Sequence, residues 1–220
     1  MLDKLYILPI LLFSVIIHEI SHGYAALKLG DPTARDMGRL TLNPIPHIDL
    51  VGSIIVPVAS LLTAGQILIA WAKPVPVNPM NLSNYRRDNL IVSAMGPLSN
   101  LIMAIACAVI TILLLKIQPL IGDAAASSTF FVYLLKMFSG GIYINVLLGV
   151  FNLVPIPPLD GSHVLAAFLS DSAAETYSRI GFAGIILILL LMQVPAFERV
   201  FYAAINFFYM PLYQLVVLFA

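Results

Sequence analysis

The chain has 220 residues, 60% hydrophobic and 10% charged, with eleven basic and eleven acidic side chains and no net charge. Its mean hydropathy is +0.99, against the roughly half apolar and quarter charged make-up of a soluble domain. So much apolar surface cannot be hidden in one water-facing core, so the expected solvent is a lipid bilayer. Charge balance argues against nucleic acid as a partner, and one cysteine, Cys107, excludes both an internal disulfide and a cysteine-based zinc cluster.

Apolar stretches predict six membrane segments, at roughly 5–28, 51–72, 89–117, 130–154, 179–194 and 198–219. The first carries an early lysine, Lys4, and an apolar run without an A-x-A-like cleavage site, so it reads as a retained helix and not a signal peptide. Lys28, Arg35 and Arg39 follow it, which places the first link in the cytoplasm by the positive-inside rule. Within that link "GRLTLN" (38–43) alternates polar and apolar residues, as a strand would.

Lys73, Arg86 and Arg87 put the link after 51–72 in the cytoplasm too, so that segment, with Pro57 and Gly65 inside it, is expected to re-enter as a hairpin. Segment 89–117 then runs outward, residues 117–129 lie outside with no Lys or Arg, and 130–154 returns. The stretch "FNLVPIPPLDGSH" (151–163) accordingly lands on the inner side. Segment 179–194 is short enough to be re-entrant. The expected fold is an all-α polytopic membrane protein of about five to six transmembrane segments, with a small re-entrant/β element after the first helix. The whole of residues 1–220 reads as one integral-membrane domain.

Inside the first segment, "FSVIIHEISHGY" (13–24) carries His18, Glu19 and His22. Two histidines four apart project from nearly the same face of a helix, one turn from each other. Two imidazoles so placed can hold one Zn²⁺, with Glu19 beside them to take a proton from bound water. Each of these groups costs free energy in an apolar helix unless buried and paired, so an incidental polar patch is the costlier reading. A catalytic zinc site takes a third protein ligand. Asp160 is the leading candidate, set after the stiff Pro157–Pro158 pair; the alternatives are Asp160 as a helix cap and His163 as the ligand. Asn152, eight residues earlier, could donate a hydrogen bond to a tetrahedral intermediate or merely close a helix end. His47, in "NPIPHID", reads as a hydrogen-bonded interfacial histidine, with a place near the site entrance as the alternative.

"HEISHGYAA" (18–26), "GRLTLNP" (38–44), "AMGPLSN" (94–100) and "FNLVPIPPLDG" (151–161), in that order, resemble the site-2 protease family of intramembrane zinc metalloproteases. The resemblance spans roughly residues 10–170. It implies that His18, His22 and Asp160 hold one zinc ion, that Glu19 is the general base and that Asn152 stabilises substrate or intermediate. It also implies that Gly96 and Pro97 serve helix packing.

The implied activity is hydrolysis of peptide bonds in or near transmembrane segments of membrane-anchored substrates, in the cell (cytoplasmic) membrane, with the active site toward the cytoplasm. The "GRLTLN" strand would offer its edge to an unwound substrate. Alternatives are a membrane zinc peptidase clearing short or signal-peptide remnants, a non-proteolytic scaffold, and a metal transporter. No stretch is long enough for the PDZ or CBS domains that some relatives carry.

Overall fold

The computed structural model describes residues 6–56, 59 and 71–219. Helix α1 (Ile7–Lys28) carries Pro9 in its first turn, where backbone N–H groups have no helical partner to lose. Lys28 lies in its last turn, a favourable place for a cation. Helix α2 (Tyr85–Ile117) starts at Asn84, whose side chain accepts from the Arg87 amide at 3.2 Å while Asp88 accepts from the Asn84 amide at 2.8 Å. Helix α3 (Thr129–Asn152) is capped by Ser128 through the Phe131 amide at 3.3 Å. Three shorter helices follow, α4 (Asp160–Ala166), α5 (Asp171–Ser178) and α6 (Ala183–Leu191), and then the long α7 (Pro195–Phe219).

Helices α1 and α2 pack antiparallel. Ala25 and Ala26 meet Val92 near one end, and Ile10 meets Cys107 and Ala108 near the other, where Ile142 of α3 joins them. A second cluster joins Ala104 of α2, Val146 and Val150 of α3, and Phe201 and Ile205 of α7. Small residues at these contacts let helix backbones approach closely, the usual route to association where lipid competes equally for apolar side chains.

The outward faces are as apolar as the core. Leu98, Ile102, Ile105, Val109 and Leu113 form a stripe along α2 and are 46–55% exposed. A helix apolar on both faces belongs in a bilayer, because water would require one polar face. Among the described residues, α1, α2, α3 and α7 are long and apolar enough to span a membrane, close to the segments expected from the sequence.

The hairpin expected over 51–72 lies largely outside the described residues. Its flanks meet: the Trp71 amide donates to Gly52 O at 3.1 Å, and Ser53 Oγ donates to Trp71 O at 2.8 Å.

No strand forms among the described residues, and "GRLTLN" is a chain of bends. Gly38 takes φ +66°, Thr41 O accepts a bond from the His47 ring at 2.9 Å, and Asn43 Oδ1 accepts from the Ile45 amide at 3.1 Å. Side-chain bonds to local backbone have replaced a strand ladder.

Segment 179–194 is not a straight span: α5 and α6 meet at 82°. The nine residues of α6 reach only about 13 Å, under half the hydrocarbon thickness of about 30 Å.

The approach to Asp160 through the Pro157–Pro158 pair is turned. Ile156 N bonds Val154 O at 2.8 Å and Leu159 N bonds Ile156 O at 3.0 Å.

Candidate metal centre

His18 and His22 sit on α1 with ring centroids 4.7 Å apart and ring planes at 83°. Their Nε2 atoms are 3.1 Å apart. Asp160 reaches them from the first turn of α4, with Oδ2 3.0 Å from His18 Nε2 and Oδ1 3.3 Å from His22 Nε2. One ligand atom from each of the three residues fits within a 4.8 Å group. Asp160 stands at a helix start but makes no side-chain cap there; its carboxylate faces the two histidines instead.

The hydrogen bonds behind the rings fix what the front can do. His22 Nδ1 lies 2.8 Å from the Val92 carbonyl, which can only accept, so Nδ1 carries the proton. His18 Nδ1 lies 2.6 Å from Asn100 Oδ1. With both Nδ1 atoms donating, neutral rings turn two lone pairs toward each other and toward a carboxylate. Asp160 Oδ2 is buried without a hydrogen-bond partner. With both rings neutral, three electron-pair donors converge, which is the polarity of a cation site, and two imidazoles with one carboxylate form a donor set that suits zinc.

Close approach makes this geometry possible. A Cβ on Gly96 of α2 would fall within 2.6 Å of His18 Cε1 and closer still to His22 Nε2. A Cβ on Gly161 would meet the Leu153 and Val154 carbonyls, the latter at 2.7 Å, and push α4 off the end of α3. Gly96, expected to serve packing alone, is thus the floor against which both imidazoles lie.

Glu19, next to His18 on α1, accepts from the Val75 amide at 2.8 Å. That amide belongs to a strap, residues 71–78, anchored along its length. Lys73 N donates to His47 O at 2.9 Å, Arg39 Nη2 donates to Lys73 O at 2.8 Å, and Asn78 N donates to Asp31 Oδ2 at 2.6 Å. Asp31 is fully buried and also accepts from Thr33 and, at 2.7 Å, from Asn81 Nδ2. Burial opposes its ionisation, but the bonds from Thr33, Asn81 and Asn78 outweigh it and hold the carboxyl below its ordinary value.

The other expected residues fall outside the trio. Asn152 ends α3 and donates to Leu148 O of its own helix at 3.0 Å. His163 lines a neighbouring cavity of about 340 Å³ with Tyr85, Arg86, Asn89 and Asp171. His47 is buried and bonded to Thr41, which fits the hydrogen-bonded reading. The sequence reading passed over Asn100, although an asparagine in an apolar helix carries the same insertion cost that marked the histidines.

The profile of Peptidase family M50 matches residues 6–192. The "Putative zinc metalloprotease YwhC" of Bacillus subtilis is 35% identical over 201 residues, 91% of this chain and 86% of that protein. The "Putative zinc metalloprotease Rip2" of Mycolicibacterium smegmatis is 28% identical over 90% of this chain and 70% of its own length. The protein of the same name from Mycobacterium tuberculosis is 26% identical over 88% and 69%. No solved structure matches the chain.

Proposed function

The chain belongs to Peptidase family M50, the site-2 protease family, and is a multi-pass membrane zinc metallopeptidase; on that premise we propose that it cleaves peptide bonds in or near transmembrane segments of membrane-anchored substrates. The observation that carries this reading is the convergence of His18 Nε2, His22 Nε2 and the Asp160 carboxylate within a membrane-spanning helix bundle. These three residues hold the zinc ion, one per chain, and residues 1–220 act as one integral-membrane domain.

Zinc so held supplies a Lewis acid and a water whose pKa falls to about 7. Glu19, kept in place by the Val75 amide, accepts a proton on its carboxylate and returns it to the leaving amine. Asn152 steadies the substrate carbonyl: one amide hydrogen is taken by Leu148 O, and the second remains to donate.

The depth of the site favours membrane segments as substrates. His22 lies six residues from the end of α1, about 9 Å into the helix. The basic residues Lys28, Arg35, Arg39, Lys73, Arg86 and Arg87 lie in the links that follow α1 and at the start of α2, which supports a site toward the cytoplasmic face of the cell membrane.

Zinc content and cleavage of a membrane-anchored peptide, measured for wild type and Glu19→Gln, test the reading. The variant is expected to keep its zinc and lose about 10²–10⁴-fold in rate. Full activity in the variant would remove Glu19 from the chemistry, and active wild type without zinc would remove the metal.

A further inference from the structure

Behind His18 runs a line of amides that crosses three helices. Asn100 of α2 and Asn145 of α3 are both completely buried. Asn145 Nδ2 donates to Gly141 O at 2.9 Å, and Asn100 Nδ2 lies 3.2 Å from Asn145 Oδ1 and 3.3 Å from Ser14 O. Asn100 Oδ1 then meets His18 Nδ1 at 2.6 Å.

The orientation of each amide follows from the two backbone carbonyls, which can only accept. The group of Asn145 that faces Gly141 O must be its NH₂, so its oxygen faces Asn100. The group of Asn100 that faces this oxygen and Ser14 O must be its NH₂, so its oxygen faces His18. His18 Nδ1 must therefore donate, and its Nε2 is left as a bare lone pair. His22 needs no such line, because the Val92 carbonyl touches its ring directly. His18 has no carbonyl of its own behind it and borrows its polarity from Ser14 and Gly141 through two asparagines.

We propose that Asn100 and Asn145 are positioning residues that lock the Nδ1–H tautomer of His18, so that Nε2 is always presented to the metal. The proposal rests on the trio as the zinc site but concerns residues that touch neither metal nor substrate. It also accounts for two fully buried asparagines in membrane-spanning helices. Partners behind a metal-binding histidine fix its tautomer and raise its basicity, and their loss costs about 10–100-fold in metal affinity.

The test uses the full chain in detergent. In metal-free wild type labelled with ¹⁵N-histidine, the neutral form of the His18 ring is expected to show its proton on Nδ1. A proton on Nε2 would overturn the proposal without any variant being made. Zinc affinity, measured by competition with a chelator, is expected to fall about 10–100-fold in Asn100→Leu. Asn100→Asp, accepting from Nδ1 with one oxygen and carrying a proton on the other, which faces Ser14 O and Asn145 Oδ1, is expected to recover much of that loss, which a purely structural role for the amide would not produce. Asn145→Leu should lie between wild type and Asn100→Leu, since Ser14 O alone still orients Asn100. An Asn100→Leu protein that folds and holds zinc as wild type does would overturn the proposal. Wild type that takes no zinc at the trio would instead sink the functional reading, and the tautomer measurement would still decide this one.

Discussion

The site has two halves built in different ways. His18, His22, Gly96 and Asn100 come from α1 and α2 and are placed by helix register. The contacts of Ala25 and Ala26 with Val92 and of Ile10 with Cys107 pin the two helices at both ends and set Asn100 opposite His18. Asp160, in the first turn of α4, and the Val75 amide are positioned by irregular chain. They are placed by turns after Val154, by the close approach of Gly161, and by side-chain bonds from Arg39 and Asp31. A register is redundant, since many contacts enforce it. A strap is held at a few points, so its contribution should fail one bond at a time.

The helical half should show the largest response. Gly96→Leu drives a side chain into both imidazoles and is expected to weaken zinc binding by about 100-fold or more, beyond the range for losing one supporting bond. Normal zinc content in that variant would mean that the two rings are not fixed against α2. The strap half should separate metal from base. Val75→Pro removes the N–H that Glu19 accepts, and loss of one hydrogen bond to a charged group, about 1.5–3 kcal/mol, corresponds to about 10–100-fold in rate. Zinc affinity should stay unchanged, and a parallel loss of zinc would show the two halves to be one unit.

A smaller effect is expected farther along the strap. Asp31→Asn replaces an acceptor of several bonds and should destabilise by about 1–3 kcal/mol. The Asp31 pKa is lowered in the folded protein, so its contribution is complete above the ordinary aspartate value of about 4 and is lost as pH falls through the folded value. Thermal unfolding should therefore show acid sensitivity in wild type that is reduced in Asp31→Asn. Equal acid sensitivity in both would place that effect elsewhere. The smallest response belongs to the exposed Arg86–Asp171 pair, 2.7 Å apart between α2 and α5. Arg86→Gln should change stability by less than about 1 kcal/mol; a larger loss would make the α5 contact part of the scaffold.

The helical half was largely legible in the sequence. The i, i+4 spacing of His18 and His22 is a statement about a helix face, and long apolar runs announce spans α1, α2, α3 and α7. The strap was not. "GRLTLN" alternates as a strand does, yet alternation cannot foresee that Arg39 is drawn to the Lys73 and Pro74 carbonyls or that Gly38 turns left-handed. Apolarity likewise marked 179–194 as membrane-seeking without revealing the bend between α5 and α6.

The sequence by itself determined the solvent, the zinc-type motif and the residues able to complete it, because hydropathy and helical spacing are local properties of the chain. Only the tertiary structure decided that Asp160 faces both imidazoles instead of capping its helix. It alone decided that Gly96 is where the rings rest and that Asn100 stands behind His18. Those facts depend on the register between helices distant in sequence, which packing fixes and no local pattern encodes.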